Sequence, residues 1–448
     1  MSTQTVLSAH ERLEALFDDK SFTEIGAGVK SGDLSGGVVT AYGYVGGNPV
    51  YAFAQDKTVR SGALTKEQAK KIVKIYDMAA KTGLPIVGIY DSYGADVTDT
   101  LGVLDSYGEW LNRATVISGV VPQISLIAGD CAATAAMIAV SADFVVMTKE
   151  AQLFVTPNSD DKELSSTALE NGTAALVCDD YEASVEAVRE LVARFPQNNL
   201  SEVPMFDFEA PSAADLSSAE ATAESVFDNG SITELYSGFG RSAYTALATL
   251  NGASVGVIAT NKTEKKLTAD DAAKIARFVR TCDAFSLPII TVVDTKGFCK
   301  CVTEQKAGAV KLWSKVAAAY AEATTVKLAA VTGNAYGSAF MALAGKGANA
   351  DLVFATENAV ISSVDPLTAV EFLWHDKLKG AADLDKEREK LAKEYIAENS
   401  SAEKAAEKMC VDAVVSAQDL RNALISGIEM MAGKRISNLP KKHSNGQL

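Results

Sequence analysis

Few side chains in this sequence have the types and spacing that familiar enzyme centres need. There are three histidines, none at the spacing of a metal site, and no H-E-x-x-H, P-loop, G-x-S-x-G or strand-linked G-x-G-x-x-G motif. Cys299 and Cys301 stand two residues apart, but a zinc site would need a second pair at suitable spacing, which the sequence lacks. We therefore predict no metal site and two ordinary thiols in that segment.

Two stretches of small residues could instead do chemistry through the main chain. Gly, Ala, Ser and Thr dominate the segments around Ala133 and Thr134 and around Gly337, Ser338 and Ala339. Small side chains let a ligand approach the backbone, and a free N–H group at the start of a helix can stabilise an oxyanion by about 2.7–4 kcal/mol. Close packing of a helix on a sheet also needs small residues, so this pattern alone leaves both interpretations open.

The elements that would position these turns occur twice along the chain. Residues 17–24, 64–94 and 142–151 recur in the same order as residues 227–234, 267–297 and 350–359. The three comparisons give five identities in eight positions, ten in 31 and five in ten, at offsets of 210, 203 and 208 residues. We predict a duplicated domain with halves at 1–210 and 226–448, and a boundary in the proline-containing segment 196–225.

Each half has the same predicted succession of helix, strand, turn and helix. Capping boxes begin a helix after Thr65 and after Thr268, and apolar residues then recur at helical spacing. A continuous apolar run follows each helix and ends at Asp91 or Asp294, as in a strand that is buried on both faces. This alternation is typical of an α/β fold.

Composition and charge restrict the classes of partner. Of the 448 residues 48% are apolar and 22% charged, and the net charge is −15, so we predict no nucleic-acid binding. The cysteines are too sparse for a disulfide framework and the N-terminus has no signal-peptide core, so we expect a reducing, cytoplasmic setting. The uncharged segment 328–345 contains polar residues and glycine at its centre. It therefore predicts a buried strand, a turn and a small-residue helix rather than a membrane span.

Four segments carry a resemblance to a known family. They are RLEALFDDKSFTE (12–24), VISGVVPQISLIAGDCA (116–132), ARFVRTCDAFSLPIITVVDTKGF (276–298) and GNAYGSAFMAL (333–343). In this order they resemble motifs of the carboxyltransferase family of biotin-dependent acyl-CoA carboxylases and decarboxylases, such as the β subunit of propionyl-CoA carboxylase. The resemblance implies a tandem duplication of crotonase-type domains, each built from ββα units coiled into a superhelix. It also implies a homohexamer, a dimer of trimers.

The resemblance also implies how the halves divide the reaction. The N half of one subunit would bind acyl-CoA, and the C half of its partner would bind biotin. Biotin would come on a separate carrier protein, because the chain has no A-M-K-M biotinylation motif. Carboxybiotin would lose CO2 and its ureido nitrogen would take the α-proton of the acyl-CoA, whose enolate would capture the CO2. In reverse the same site would decarboxylate a thioester. The further partner would be a biotin carboxylase or a membrane decarboxylase subunit, the latter implying membrane association.

Site residues follow from the resemblance position by position. The predicted catalytic residues, through their backbone N–H groups, are Ala133, Thr134, Gly337, Ser338 and Ala339. The predicted substrate-binding residues are Tyr93, Gly94, Gly297, Phe298 and Met341. Plain strand-to-loop turns are the alternative for the two glycines. Met341 would shape the acyl pocket, with core packing as the alternative.

The chain departs from the family pattern near the predicted acyl-CoA site. Residues 91–96 read DSYGAD where the family has D-S-G-G-A-R, and the second Gly-Gly pair is Ala133-Thr134. The insertion that follows the N-half turn is shortened around residues 156–173. These changes motivate one alternative, a catalytically weakened structural subunit that docks the carrier. Another is a crotonase-type hydratase or isomerase without biotin, in which Asp96 would be the catalytic carboxylate.

Overall fold

The chain folds into two compact units. The computed structural model describes residues 7–31, 34, 35, 37–99, 101–156, 163–348 and 350–442. The first unit is Met1–Pro204 and the second is Met205–Leu448. The division falls after Pro204, inside the segment 196–225 where the sequence places the boundary.

In the described residues, the first unit contains eleven strands and six α-helices. The strands are β1 (Phe22–Ile25), β2 (Lys30–Ser31), β3 (Leu34–Ser35), β4 (Val38–Val45), β5 (Asn48–Gln55), β6 (Ile86–Ser92), β7 (Gln123–Ala132), β8 (Phe144–Thr148), β9 (Gln152–Phe154), β10 (Glu163–Leu164) and β11 (Leu176–Cys178). The helices are α1 (Ala9–Leu16), α2 (Lys66–Thr82), α3 (Leu101–Val116), α4 (Ala133–Val140), α5 (Ser165–Glu170) and α6 (Tyr181–Arg194). Short 3-10 helices span Asp18–Lys20, Arg60–Gly62 and Val97–Asp99.

The first unit is organised by one mixed sheet. Its strand order is β1-β4-β5-β6-β7-β8-β11, with β9 paired to β7 and β10 paired to β9. The β1–β4 and β4–β5 pairs are antiparallel, and β5 to β8 run parallel. Strand β6 is buried along its whole length, as predicted for a central strand of a parallel sheet.

Helix α2 shows why the local prediction was reliable. The Thr65 side chain accepts from the N–H of Gln68, whose side chain accepts from the N–H of Thr65, which is the predicted capping box. The helix ends at Gly83, whose φ of 69° is left-handed. Thr268 and Asp271 form the equivalent box in the second unit, so both predicted starts are confirmed.

The described part of the second unit contains eight strands and ten α-helices. The strands are β12 (Thr233–Glu234), β13 (Tyr244–Leu250), β14 (Ala253–Ala259), β15 (Ile289–Thr295), β16 (Lys327–Tyr336), β17 (Leu352–Thr356), β18 (Val360–Ser362) and β19 (Ala413–Val415). The helices are α7 (Ala219–Val226), α8 (Ala269–Ala284), α9 (Val302–Lys306), α10 (Ala309–Glu322), α11 (Gly337–Leu343), α12 (Pro366–Leu373), α13 (His375–Leu378), α14 (Leu384–Asn399), α15 (Ala402–Glu407) and α16 (Leu420–Met431). A 3-10 helix spans Lys346–Ala348.

The second unit repeats the sheet of the first. Its order is β12-β13-β14-β15-β16-β17-β19, with β18 paired to β16 as β9 is paired to β7. The units differ after this last strand, where the second carries helices α12 to α15, three of which share a small apolar core. At the same place the described residues of the first unit form β10 and α5. Residues 157–162 of the segment expected to be shortened lie outside the described residues.

The uncharged segment 328–345 forms most of strand β16 and the whole of helix α11, as predicted. Among the residues that the structure describes, no helix is both long and apolar enough to cross a membrane.

Candidate active site

A bulge interrupts the two central strands of each unit just before the small-residue turn. In the first unit Tyr90 pairs with Ile127, but the next pair is Ser92 with Cys131. Strand β7 therefore holds two more residues than β6 between these pairs. The second unit has the same shift between β15 and β16, beginning after Val293. Bulges re-aim a strand, and here both strands lead into the predicted turns.

An aspartate closes each bulge. Asp91 Oδ1 accepts from the N–H of Asp130 at 3.1 Å, and Asp294 Oδ1 accepts from the N–H of Asn334 at 2.8 Å. The residue before each donor is glycine, and a Cβ there would lie 2.2 Å from an atom of the carboxylate group. Only glycine therefore fits, and the aspartate holds the main chain that leads to the turn.

In the first unit Asp91, which clamps the main chain through this hydrogen bond, also forms ion pairs. Arg12 Nη2 lies 2.5 Å from Asp91 Oδ2, and the two side chains are 5% and 4% exposed. Lys57 lies 3.7 Å from Asp91 Oδ1 and forms an ion pair with Asp130. Burial acts to lower the pKa of Lys57, but these two carboxylates raise it above its ordinary value. This part of the site thus contains the buried Arg12–Asp91 ion pair and, beside it, the half-buried Lys57 paired with Asp130.

Both predicted turns begin a helix in the left-handed conformation. Ala133 starts α4 with φ of 56°, and Gly337 starts α11 with φ of 50°. No side chain of the described residues caps either helix. The first N–H groups of a helix have no acceptor within it, and those of Thr134 and Ser338 are in this position. The structure thus provides one uncapped set of donors in each unit.

Gly94 and Gly297 are turn residues with φ of 110° and 91°. The N–H of Gly94 donates to Ser92 Oγ at 3.0 Å, and the N–H of Gly297 donates to Thr295 Oγ1 at 3.2 Å. Their N–H groups are therefore engaged, and what they offer a ligand is the lack of a side chain. A Cβ at Gly94 would lie 3.8 Å from the Cβ of Ala133, which places the two turns of the first unit side by side.

The remaining predicted residues differ in exposure. Tyr93 is 43% exposed, with Lys57 Nζ 5.0 Å from its ring centroid. Phe298 stacks on Trp313 with ring centroids 3.9 Å apart, which fixes the loop after β15. Ala339 is buried, so it could contribute only through its main chain.

One exposed methionine follows each turn. Met341 lies four residues after Gly337, and Met137 lies four residues after Ala133. Their exposures of 49% and 52% do not fit core packing. Helical side chains lean toward the N-terminus, so each methionine flanks its own turn. Met137 was missed in the sequence analysis, although its offset of 204 residues from Met341 marks it as the repeat counterpart.

The contacts of Asp96 stabilise its ionised form, which makes the carboxylate a weak base. Its Oδ2 lies 2.5 Å from Arg60 Nη1, and its Oδ1 accepts from the N–H and Oγ1 of Thr98 at 3.0 and 2.6 Å. The Thr98 hydrogen bonds, followed by Arg60, lower the pKa of Asp96. A general base works best with a pKa near the working pH, so this geometry does not support a hydratase that uses Asp96.

Within the described residues, no three His, Cys, Asp or Glu side chains are grouped so that they could hold a metal ion. His443 lies outside those residues.

Comparisons with known proteins cover nearly the whole chain. The carboxyl transferase domain family matches residues 4–446. The methylmalonyl-CoA decarboxylase subunit alpha of Propionigenium modestum is 34% identical over 479 residues, covering 98% of this chain and 93% of that protein. The propionyl-CoA carboxylase, carboxyltransferase subunit, of Haloferax mediterranei is 32% identical over 479 residues, with the same coverage.

A solved structure shows the same fold. The crystal structure of transcarboxylase 12S with hydrolysed methylmalonyl-coenzyme A matches with a TM-score of 0.93 at 30% identity. The match covers 98% of this chain and 93% of that one. The predicted tandem crotonase-type fold is therefore confirmed. With the family match and both relatives spanning almost all of its residues, the chain belongs to the carboxyl transferase family.

Proposed function

We propose that this protein transfers a carboxyl group between biotin on a separate carrier protein and a short-chain acyl-CoA. The observation that carries the proposal is the turn that occurs once in each unit. There a strand whose main chain is held by an aspartate leads into a helix that begins with small residues and has no side-chain cap. Main-chain donors at such a position stabilise negative charge that develops on a bound ligand. The named relatives act on methylmalonyl-CoA and propionyl-CoA, which suggests the substrate class.

The first unit would bind the acyl-CoA, within residues 1–210. The N–H groups of Ala133 and Thr134 would stabilise the thioester oxygen as negative charge develops on it. Gly94 leaves room beside this turn, and the exposed ring of Tyr93 provides a surface for the ligand. Met137, one helical turn away, would contact the acyl group.

The second unit would bind biotin, within residues 226–448. A Cβ at Gly337 would lie 2.8 Å from the carbonyl oxygen of Ser363, so the turn is a close-fitting cradle that only glycine can form. Ser338 and Ala339 would donate their N–H groups there, beside Gly297, Phe298 and Met341. When bound, biotin supplies the carboxyl group and a ureido nitrogen basic enough to exchange the α-proton. Such a nitrogen would make a histidine base from the protein unnecessary.

The assembly that fits this activity is a homohexamer that works with a biotin carrier protein. The transcarboxylase 12S structure is a hexamer assembly with substrate bound to a multienzyme core. A third component, a biotin carboxylase or a membrane decarboxylase subunit, would set the direction of flux. Relatives named for carboxylation and for decarboxylation both match the chain, so both third components are retained, and the second would imply association with a membrane complex.

Single-turnover carboxyl transfer tests the proposal. The purified protein is mixed with methylmalonyl-CoA or malonyl-CoA and with biotin or a biotinylated carrier, and loss of the carboxylated thioester is followed by chromatography. We expect transfer above the uncatalysed background, with a fall of about 10²–10³-fold in Gly337→Val, since that change displaces oxyanion donors.

Gly433→Val is the matched control, because a Cβ at Gly433 meets no atom within 4 Å. It should retain transfer. Background transfer across the whole substrate panel, with CoA binding intact, would contradict the proposal and support the structural-subunit alternative.

A further inference from the structure

Two thiols lie together on the loop that follows strand β15. The Sγ atom of Cys299 donates to the Sγ atom of Cys301 at 3.4 Å. Cys301 is exposed and Cys299 is half-buried. The proposed carboxyl transfer makes no use of either sulfur, and neither thiol is part of a metal cluster in the described residues.

Their surroundings give the two thiols unequal roles. Hydrogen bonds from the N–H of Glu304 and from the Cys299 thiol lower the pKa of Cys301. A lowered pKa raises the fraction of thiolate, which is the nucleophilic form of cysteine. Burial has the opposite effect on Cys131 and Cys282, whose pKa values it raises. Cys301 is thus an exposed thiol whose pKa is lowered and whose sulfur lies 3.4 Å from that of Cys299.

We propose that Cys299 and Cys301 form a modification site that hydroperoxides oxidise reversibly to a disulfide. The Cys301 thiolate attacks one oxygen of hydrogen peroxide, the O–O bond breaks, and the departing hydroxide takes a proton to leave water and a sulfenic acid. The Cys299 thiol then attacks that sulfur, the S–O bond breaks, and a second water leaves as the S–S bond forms. Two thiols lose two electrons and two protons, and the peroxide gains them.

The loop transmits this change to the biotin side of the proposed site. Leu267 donates its N–H to Gly297 at 3.1 Å and accepts from the N–H of Cys299 at 2.8 Å, so the main chain before Cys301 is anchored on both sides. Helix α9 begins directly after Cys301. A disulfide would draw Cys299 and Cys301 closer together and thereby shift the neighbouring Phe298. This consequence, unlike the thiol chemistry, rests on the proposed function.

Peptide mass spectrometry tests the thiol site after the full-length, folded protein has been exposed to hydrogen peroxide. Free thiols are alkylated, the protein is digested with chymotrypsin, and the peptide containing residues 299–301 is measured. We expect loss of two hydrogens, reversal by dithiothreitol, and no such product in Cys301→Ser. Cys178→Ser, a control at a thiol whose pKa burial raises, should behave as the wild type. Oxidation of Cys301 to sulfinic acid without a disulfide, or an unchanged peptide, would overturn the proposal.

Transfer measured on the same samples separates this proposal from the proposed function. We expect a several-fold fall on oxidation, recovery with dithiothreitol, and resistance in Cys301→Ser. A disulfide that leaves transfer unchanged would overturn the link to the biotin side. Absence of transfer in the fully reduced protein would instead refute the proposed function, and the peptide mass would still decide the thiol chemistry.

Discussion

At the residue scale, Ala133 and Gly337 hold equivalent positions but do not fit them equally well. Both begin a helix with positive φ. For a residue with a Cβ, the left-handed conformation costs about 1–2 kcal/mol of conformational free energy, whereas glycine adopts it freely. The first unit therefore keeps a strained residue at the turn where we place the thioester. Strain of this kind persists when the surrounding structure requires it, as the clamp of Asp91 on the preceding strand does here.

Ala133→Gly should raise the free energy of unfolding by about 0.5–1 kcal/mol, because glycine adopts positive φ without strain. Ala139→Gly is the matched control, and it should lower the free energy of unfolding by about 1 kcal/mol because it lies inside the same helix. Both are measured by urea unfolding followed through tryptophan fluorescence. Equal destabilisation by the two changes would show that Ala133 is not strained.

Asp96→Asn should reduce stability in a pH-dependent way. The folded state lowers the pKa of Asp96, so its contribution is fully present above the unfolded value of about 3.9 and is lost as the pH falls through the folded value. Unfolding measured from pH 8 downward should show a constant advantage of the wild type to about pH 5, and a shrinking one below about pH 4. An advantage that grew as the pH fell would contradict this assignment.

At the element scale, the bulges turn a strand pair into a support for the donors. Each aspartate holds a main-chain N–H three residues before the helix starts, so it acts on the turn through the main chain. The two clamps differ in environment, because Asp91 is paired with the buried Arg12, whereas Asp294 receives the side-chain amide of Asn334 at 3.3 Å. Both aspartates therefore position the main chain before the turn, and we expect the loss of Asp91 to cost more stability than the loss of Asp294.

Asp294→Ala should lower the rate constant of carboxyl transfer about tenfold with little change in the concentration of biotin needed, because the donors are misplaced rather than removed. Asp294→Asn keeps an oxygen for the N–H of Asn334 and should retain most of the rate. Steady-state transfer with biotin as the varied substrate gives both parameters. Equal loss in the two variants would mean that the charge matters and the hydrogen bond does not.

Asp91→Asn should destabilise the first unit by about 3–5 kcal/mol, because it leaves the Arg12 guanidinium buried without its counter-charge. Urea unfolding measures the loss. The double variant Arg12→Met with Asp91→Asn should recover most of it, since no unpaired charge remains. Failure of the second change to recover stability would show that the unpaired Arg12 guanidinium is not the cause of the loss.

The sequence predicted the elements whose causes are local. Capping boxes, helical spacing and continuous apolar runs depend on residues a few positions apart, so helix α2 and strand β6 could be read directly. The contacts of Asp91 join residues from three distant parts of the chain, and Ala133 adopts positive φ directly after a strand whose bulge depends on its pairing with β6. Neither has a local signal. The repeat does place Asp91 and Asp294 at equivalent strand ends in the sequence, and its offset could also have paired Met137 with Met341.

At the scale of the whole molecule, duplication gives two units with the same sheet order and the same turn but with different helices after it. The second unit carries helices α12 to α15 where the first has a short segment, so the two units present different surfaces beyond the same strand. Family resemblance implies that the N half of one subunit works with the C half of its partner. Catalysis would then depend on assembly.

A mixing experiment checks this dependence. Ala133→Val impairs the first unit and Gly337→Val impairs the second, and each homo-oligomer should be nearly inactive. Hybrids assembled from equal amounts should regain about a quarter of the wild-type activity, because a symmetric pair of unlike subunits restores one of its two sites. No regain in verified hybrids would mean that both halves of each site come from a single chain.

Main-chain donors also change what mutagenesis can detect. At the uncapped start of α4 the residue is already alanine, and at the start of α11 it is glycine, so replacement by alanine is silent at one position and acts through crowding at the other. An alanine survey of this protein would thus leave the proposed main-chain donors in place and test only the side chains around them. Backbone substitution, in which an ester oxygen replaces a single peptide nitrogen, would test each proposed donor directly.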